Sequence, residues 1–226
     1  MSLFNVYPLF DITPVKAKDV FVYDEKGTEY LDLYGGHAVI SIGHSHPKYV
    51  KNISGQVSKI GFYSNSIQNP LQVKLARELM QQSNCKDYQL FLCNSGAEAN
   101  ENALKLASFH TNKKKVISFT NSFHGRTSAA VAATDNAKIV APINAQQEVE
   151  FFNLGDLKSV EKGLQEGDVC AVIIECIQGV GGLDESTTEF YKGLEFLCNT
   201  YNVLLIADEV QSGFGRTGDF FAFQKH

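Results

Sequence analysis

Short apolar runs alternate along this chain with segments whose apolar residues recur every three or four positions. The runs lie near residues 88–93, 116–119, 149–152, 169–175 and 203–207. Between and before them, Leu71, Leu75 and Leu79 form one helical stripe, and Ala99, Ala103, Leu104, Leu106 and Ala107 form another. Leu157, Val160 and Leu164 mark a third helix, and Phe190, Leu194, Leu197 and Tyr201 a fourth. Alternation of this kind predicts an α/β fold, a mainly parallel sheet covered by helices. The run Val203 to Ala207 carries no charge and fits a buried central strand. Nearer the start, Val20 to Tyr23 and Glu29 to Leu33 flank Asp24-Glu25-Lys26-Gly27, a hairpin signal. Pro47 to about Ser58 reads as a helix with proline in its first turn. No internal repeat or low-complexity linker interrupts the pattern.

The chemistry gathers where the predicted strands end. Asp208 follows Ala207, at the carboxyl end of a strand, where open α/β sheets place their ligands. A carboxylate there is costly unless it meets a cation or hydrogen-bond donors; the plainer alternative is that Asp208 caps the next turn. After the run Tyr88 to Cys93 come Asn94-Ser95-Gly96-Ala97 and a helix. A helix start with free N–H groups and a serine hydroxyl suits an anion. Ser95 is equally readable as an N-cap, with Glu98 completing a capping box. The segment Ser122-Phe123-His124-Gly125-Arg126-Thr127 offers an aromatic face, an imidazole and a guanidinium suited to a carboxylate. Singly, Phe123 reads as core and Arg126 as a surface ion-pair partner. Glu175-Cys176-Ile177-Gln178-Gly179 adds another acid and an amide at a strand end. Together these loops ask for a molecule with a phosphate, a planar ring and a protonatable ring nitrogen, all of which pyridoxal phosphate has.

The motifs NSGAEANENALKLA, SFHGRT, ECIQG and LLIADEVQSGFGRTG occur in this order. On them the chain resembles the class III (fold-type I) pyridoxal-phosphate-dependent aminotransferases, and among these the acetylornithine/succinylornithine group. The likeness runs from YDEKGTEYLDLYGG onward. It implies that Ser95, Gly96 and Ala97 bind the cofactor phosphate and that Phe123 stacks on the ring. By the same resemblance Asp208 would pair with the ring nitrogen, Val210 would press on the opposite face and Gln211 would sit near the phenolic oxygen. Arg126 holds the substrate α-carboxylate, and Glu175 lies near the cofactor. It further implies a homodimer, with 1–45 as the first part of a small α+β domain and 46–226 as a large cofactor domain short of its last strands. The implied reaction moves the terminal amino group of an acylated ornithine to 2-oxoglutarate, in arginine biosynthesis. Ornithine, 4-aminobutyrate or another ω-amine is the nearest alternative substrate.

Two departures from that pattern carry expectations. The family's Schiff-base lysine follows a strand beyond the Asp208 motif, and the chain stops at His226 without it. The polypeptide as written is therefore expected not to transaminate, and to be a truncated form. A non-catalytic fragment that binds the cofactor weakly or serves in assembly is the competing view. The second departure is Val180, which stands where relatives often carry a glutamate; a bulkier or more acidic acyl group such as succinyl is the expected consequence. A nucleotide-binding α/β protein is disfavoured, because the turn after Cys93 lacks the glycine spacing of either common phosphate-loop fingerprint.

Composition adds less. At 226 residues and 44% apolar, the chain has ample material for a core. A net charge of −5 argues against nucleic acid as a partner. No apolar run approaches the ~18 residues of a membrane span, and the start has no signal-peptide pattern, so a cytoplasmic protein is expected. Met1-Ser2-Leu3 has the look of a cloning remnant. Five cysteines without metal spacing fit reduced, mostly buried thiols. His44 and His46 lie in a turn before the Pro47 helix, with no acidic or thiol partner nearby in sequence, and no metal is expected. Lys113-Lys114-Lys115 reads as a solvated loop.

Overall fold

A computed structural model describes residues 4–226, so the reading of Met1-Ser2-Leu3 lies outside the described residues. The chain forms two compact units, one ending at Pro70 and the other spanning Leu71–His226.

In the first unit, β1 (Pro14–Lys18), β2 (Phe21–Asp24) and β3 (Glu29–Leu31) make an antiparallel meander. The expected hairpin is β2–β3. Asp24 closes its turn, accepting from the N–H groups of Lys26 (2.9 Å) and Thr28 (2.8 Å) and from the Tyr30 hydroxyl (3.0 Å). A distorted turn, α1 (Gly35–Ala38), follows, with positive φ at Gly36 and His37. Then comes α2 (Pro47–Val57), with proline at its start as expected. His44 has an acidic partner that sequence spacing did not reveal: its Nε2 lies 2.7 Å from Asp32 Oδ2. That bond, with the N–H groups of Gly35 and Tyr34, holds the Asp32 carboxyl below the usual range.

The second unit opens with α3 (Pro70–Ser83), then α4 (Gly96–Thr111), β4 (Lys115–Phe119), α5 (Ser128–Ala132) and β5 (Val149–Phe152). It continues with α6 (Leu157–Gln165), β6 (Val169–Ile174), α7 (Thr188–Thr200) and β7 (Leu204–Ala207). Three of its helix starts are capped by side chains: Ser95, Asp156 and Thr187 accept from the N–H groups of Glu98, Ser159 and Phe190. The sheet order is β5-β4-β6-β7 and every pairing is parallel. β6 is buried along its whole length, as a strand covered on both faces must be. Its Val172 and Ile174 join Val160, Leu164, Leu194 and Leu197 of α6 and α7 in one core layer. Its Cys170, Ala171 and Ile173 join Leu104 and Ala107 of α4 in the other. Cys170 and Ala171 face the same side because the β4–β6 register shifts between Lys115 and Val116, a bulge that adds one residue to β6.

Three expectations change. Tyr88 to Cys93 forms no strand: the segment runs without ladder partners, and Tyr88 and Phe91 are exposed. Strand character comes from pairing as much as from side chains, and no neighbouring strand reaches it among the described residues. Second, among the described residues β7 lies at the end of the sheet order rather than between two strands, with Leu204 and Leu205 partly exposed. Third, Lys115 belongs to β4 rather than to a loop, and its ammonium pairs with Glu150 (2.5 Å) and Glu166 (2.6 Å). Among the described residues no helix is long and apolar enough to cross a membrane.

Candidate active site

Because β4, β5, β6 and β7 run parallel, their carboxyl ends share one edge, where Thr120, Glu175 and Asp208 follow. The chain leaves β4 to one side for β5 and returns to the other side for β6. A reversal of this kind opens a crevice between the two strands at their carboxyl ends. The Glu175 carboxylate bridges that crevice. Its Oε2 accepts from the Phe123 N–H (2.9 Å) and its Oε1 from the Gly179 N–H (3.3 Å). Burial pushes its carboxyl above the usual glutamate value, while these two donors pull the other way.

Asp208 is buried, with 6% of its surface exposed, and both its oxygens are engaged. Oδ1 accepts from the Val210 N–H (3.0 Å), so the turn-capping role does occur. Oδ2 accepts from Asn100 Nδ2 (2.7 Å) and lies 2.7 Å from His124 Nδ1. The turn before Arg126 is set by Thr134, whose hydroxyl oxygen accepts from the N–H groups of His124 (2.9 Å) and Gly125 (3.3 Å). Beyond it, Glu101 accepts from the Thr127 hydroxyl (2.9 Å) and the N–H groups of Ala129 (2.9 Å) and Ala130 (3.0 Å), fixing the start of α5. Phe123 is half-buried and Arg126 exposed.

At the start of α4 the capping box is only half formed. Ser95 Oγ accepts from the Glu98 N–H (3.1 Å), but the Glu98 carboxylate reaches back to the Asn94 N–H (2.7 Å) instead of Ser95. Among the described residues no acceptor meets the N–H groups of Gly96 and Ala97. Close approaches join this helix start to the other loops. A Cβ on Gly96 would fall 2.7 Å from Val210 Cγ1, and one on Gly125 would fall 2.7 Å from Ala97 Cβ. A Cβ on Gly179 would overlap the Gln211 amide. Ser95, Gly96, Ala97, Phe123, Arg126, Glu175, Asp208, Val210 and Gln211 thus sit on loops that converge at one sheet edge.

Comparison with known proteins adds an independent finding. Residues 5–226 match the family model described as "Aminotransferase class-III". The chain belongs to the class III aminotransferases. It is 40% identical to the acetylornithine aminotransferase of Bacillus amyloliquefaciens, over 99% of this chain and 97% of that one. It is also 40% identical to the acetylornithine aminotransferase of Bacillus subtilis (strain 168), over 99% of this chain but 58% of that one. Among solved structures it resembles the taurine:2-oxoglutarate aminotransferase of Bifidobacterium kashiwanohense, in complex with PLP and glutamate (TM-score 0.89, 26% identity, 100% of this chain, 56% of that one). The class III chain thus spans a little over half the length of the last two.

The side chains of this aminotransferase suit a phosphorylated pyridine. The paired N–H groups at Gly96 and Ala97 and the Ser95 hydroxyl suit a phosphate dianion. The buried Asp208 carboxylate suits a protonated ring nitrogen. Asn100, Thr134 and Glu101 were missed from sequence, as was the pairing of the His124 imidazole with Asp208. Asn100 did carry a signal: a polar amide one turn past Gly96, on the face that Leu104 and Ala107 bury.

Proposed function

We propose that, in a polypeptide that also carries the family's Schiff-base lysine, these residues use pyridoxal phosphate to move the terminal amino group of an N-acylated ornithine, acetyl or succinyl, to 2-oxoglutarate, giving glutamate, as a step of arginine biosynthesis in the cytoplasm. The observation that carries the cofactor part is the convergence, on one sheet edge, of a helix start with unmet N–H groups and a buried carboxylate held by three donors. The acylated substrate is supported by the two Bacillus relatives. Ornithine remains the second reading, because SFHGRT suits an α-carboxylate without selecting the far end of the substrate. The expected division, with 1–45 contributing to a small domain and 46–226 forming the cofactor domain, belongs to this proposal, as does a homodimer.

When bound, pyridoxal phosphate supplies an electron sink for a carbanion at the substrate carbon. The buried Asp208 carboxylate would hold a proton on the ring nitrogen and so deepen that sink. A carboxylate beside it favours the charged form, and each pKa unit so gained is about 1.4 kcal/mol. Ser95, Gly96 and Ala97 hold the phosphate at the positive end of α4. Phe123 and Val210 would hold the ring from opposite faces and so orient it toward the substrate. Gln211 donates toward the phenolic oxygen. Glu175 acts through Phe123, whose N–H it holds, and so sets the height of the aromatic face. Arg126 pairs with the substrate α-carboxylate in the two-pronged geometry that guanidinium favours. Val180, exposed beside Gly179, brings no carboxylate to this edge and leaves room for a bulkier acyl group.

The test, made on a polypeptide that includes the Schiff-base lysine, is a comparison of kcat/KM for acetylornithine, succinylornithine, ornithine and 4-aminobutyrate with 2-oxoglutarate as acceptor. The acylated substrates are expected to exceed free ornithine by at least about tenfold, a discrimination of about 1.4 kcal/mol. An equal or greater value for ornithine or 4-aminobutyrate overturns the substrate assignment.

A further inference from the structure

We infer that Asn100 is a positioning residue for Asp208, so that one helix, α4, sets both ends of the cofactor site. This rests on the pyridoxal phosphate reading above and goes beyond it by naming how the carboxylate is placed. Among the described residues β7 pairs with β6, and its side chains are partly exposed. The Asp208 N–H donates to the Ile174 carbonyl (2.8 Å), which fixes its backbone, and the lateral donors decide where the carboxylate points.

Of those donors, Asn100 is the one fixed at two points. Its Nδ2 donates to Asp208 Oδ2 (2.7 Å) and to the His124 carbonyl (2.8 Å). An amide nitrogen has two hydrogens, and both are used. Both neighbours are acceptors, so the amide cannot turn over without setting its oxygen against a carboxylate. His124 is less constrained: its Nε2 is buried and has no partner among the described residues, so only the Asp208 contact orients its ring nitrogens. The Val210 N–H belongs to the loop that Asp208 itself organises.

Asn100 stands four residues past Gly96 on α4, one turn along the same face. The first turn of α4 presents its N–H groups to the phosphate, and the second delivers the amide to Asp208. A rise of about 1.5 Å per residue makes the separation of these two groups a property of a rigid helix rather than of loops. Asn100 therefore controls the contribution of the ring nitrogen to binding, separately from that of the phosphate.

The experiment compares dissociation constants of pyridoxal phosphate and of its analogue with CH in place of the ring nitrogen. Both are titrated into the full chain, wild type and Asn100→Ser and Asn100→Leu variants, with inorganic phosphate as competitor. In the wild type the natural cofactor is expected to bind more tightly than the analogue. In both variants that ratio is expected to shrink by about tenfold or more, the scale of a lost charge-assisted bond, while phosphate competes as in wild type. Serine keeps a donor and a small volume, so it reports on the ratio if leucine prevents folding. Wild-type protein that binds neither compound, or binds both equally, refutes the underlying site reading. A wild-type preference that both variants keep, with the two affinities falling together, overturns the role of Asn100 and leaves it a packing amide.

Discussion

Replacing Gly125 with alanine tests whether the Phe123–Arg126 turn rests against the start of α4. The new Cβ would stand 2.7 Å from Ala97 Cβ, 3.0 Å from Ala97 Cα and 3.1 Å from Ala130 Cβ, with φ at +141°. Two costs combine. An L residue held in this sparsely populated backbone region costs about 1–3 kcal/mol. Crowding a close-packed contact adds a further cost, also about 1–3 kcal/mol. Gly167 separates them, because its φ is +86° but its Cβ would meet nothing within 4 Å. Gly167→Ala should then cost only the backbone strain. In urea unfolding, Gly125→Ala is expected to exceed Gly167→Ala by about 1–3 kcal/mol, the overpacking part. Because the displaced groups are Ala97 and the turn carrying Phe123, pyridoxal phosphate affinity should fall for Gly125→Ala and hold for Gly167→Ala. Equal losses in the two variants, with cofactor affinity intact, would refute the packing of turn against helix.

Other outcomes follow from single side chains. Thr134→Val keeps the volume but removes the acceptor for two buried N–H groups, His124 and Gly125, and should cost about 2–5 kcal/mol in urea unfolding. A loss under about 0.5 kcal/mol would show that the turn does not need the hydroxyl. For Glu175, burial raises the folded-state value above the unfolded one of about 4.3. Its contribution is then most favourable below the unfolded value and declines as pH rises through the folded one. Stability of wild type relative to Glu175→Gln should fall as pH climbs from about 4 upward and level off once the folded carboxyl has ionised; parallel pH profiles would contradict this. Burial pushes the thiols of Cys176 and Cys198 up to about 12, so a neutral thiol reagent should spare them in the native protein while labelling exposed Cys93. Native-state labelling of Cys176 as fast as Cys93, read by peptide mass, would refute that burial.

The parallel sheet was legible because its strands are short, apolar and separated by helical stripes, and β6 shows the pattern most fully. The motifs that follow β4, β6 and β7 were legible too, since chemistry at a carboxyl end follows from parallel direction alone. Tyr88 to Cys93 misled because its composition is that of a strand while its ladder partner is not written in the local sequence. β7 misled for the same reason: an uncharged run shows that a strand can be buried, not which strands flank it. Asn100, and the partner of the His124 imidazole, were hidden because their meaning is tertiary. Each is an ordinary polar residue until Asp208, distant in sequence, is brought to 2.7 Å. His44 and Asp32 met in the same way across a turn.

The most direct test of the central claim is a crystal structure of the protein with pyridoxal phosphate. The phosphate is expected at the N–H groups of Gly96 and Ala97 and the Ser95 hydroxyl. The ring is expected between Phe123 and Val210, with its nitrogen on Asp208. A cofactor bound elsewhere, or a phosphate placed away from the start of α4, would contradict the account.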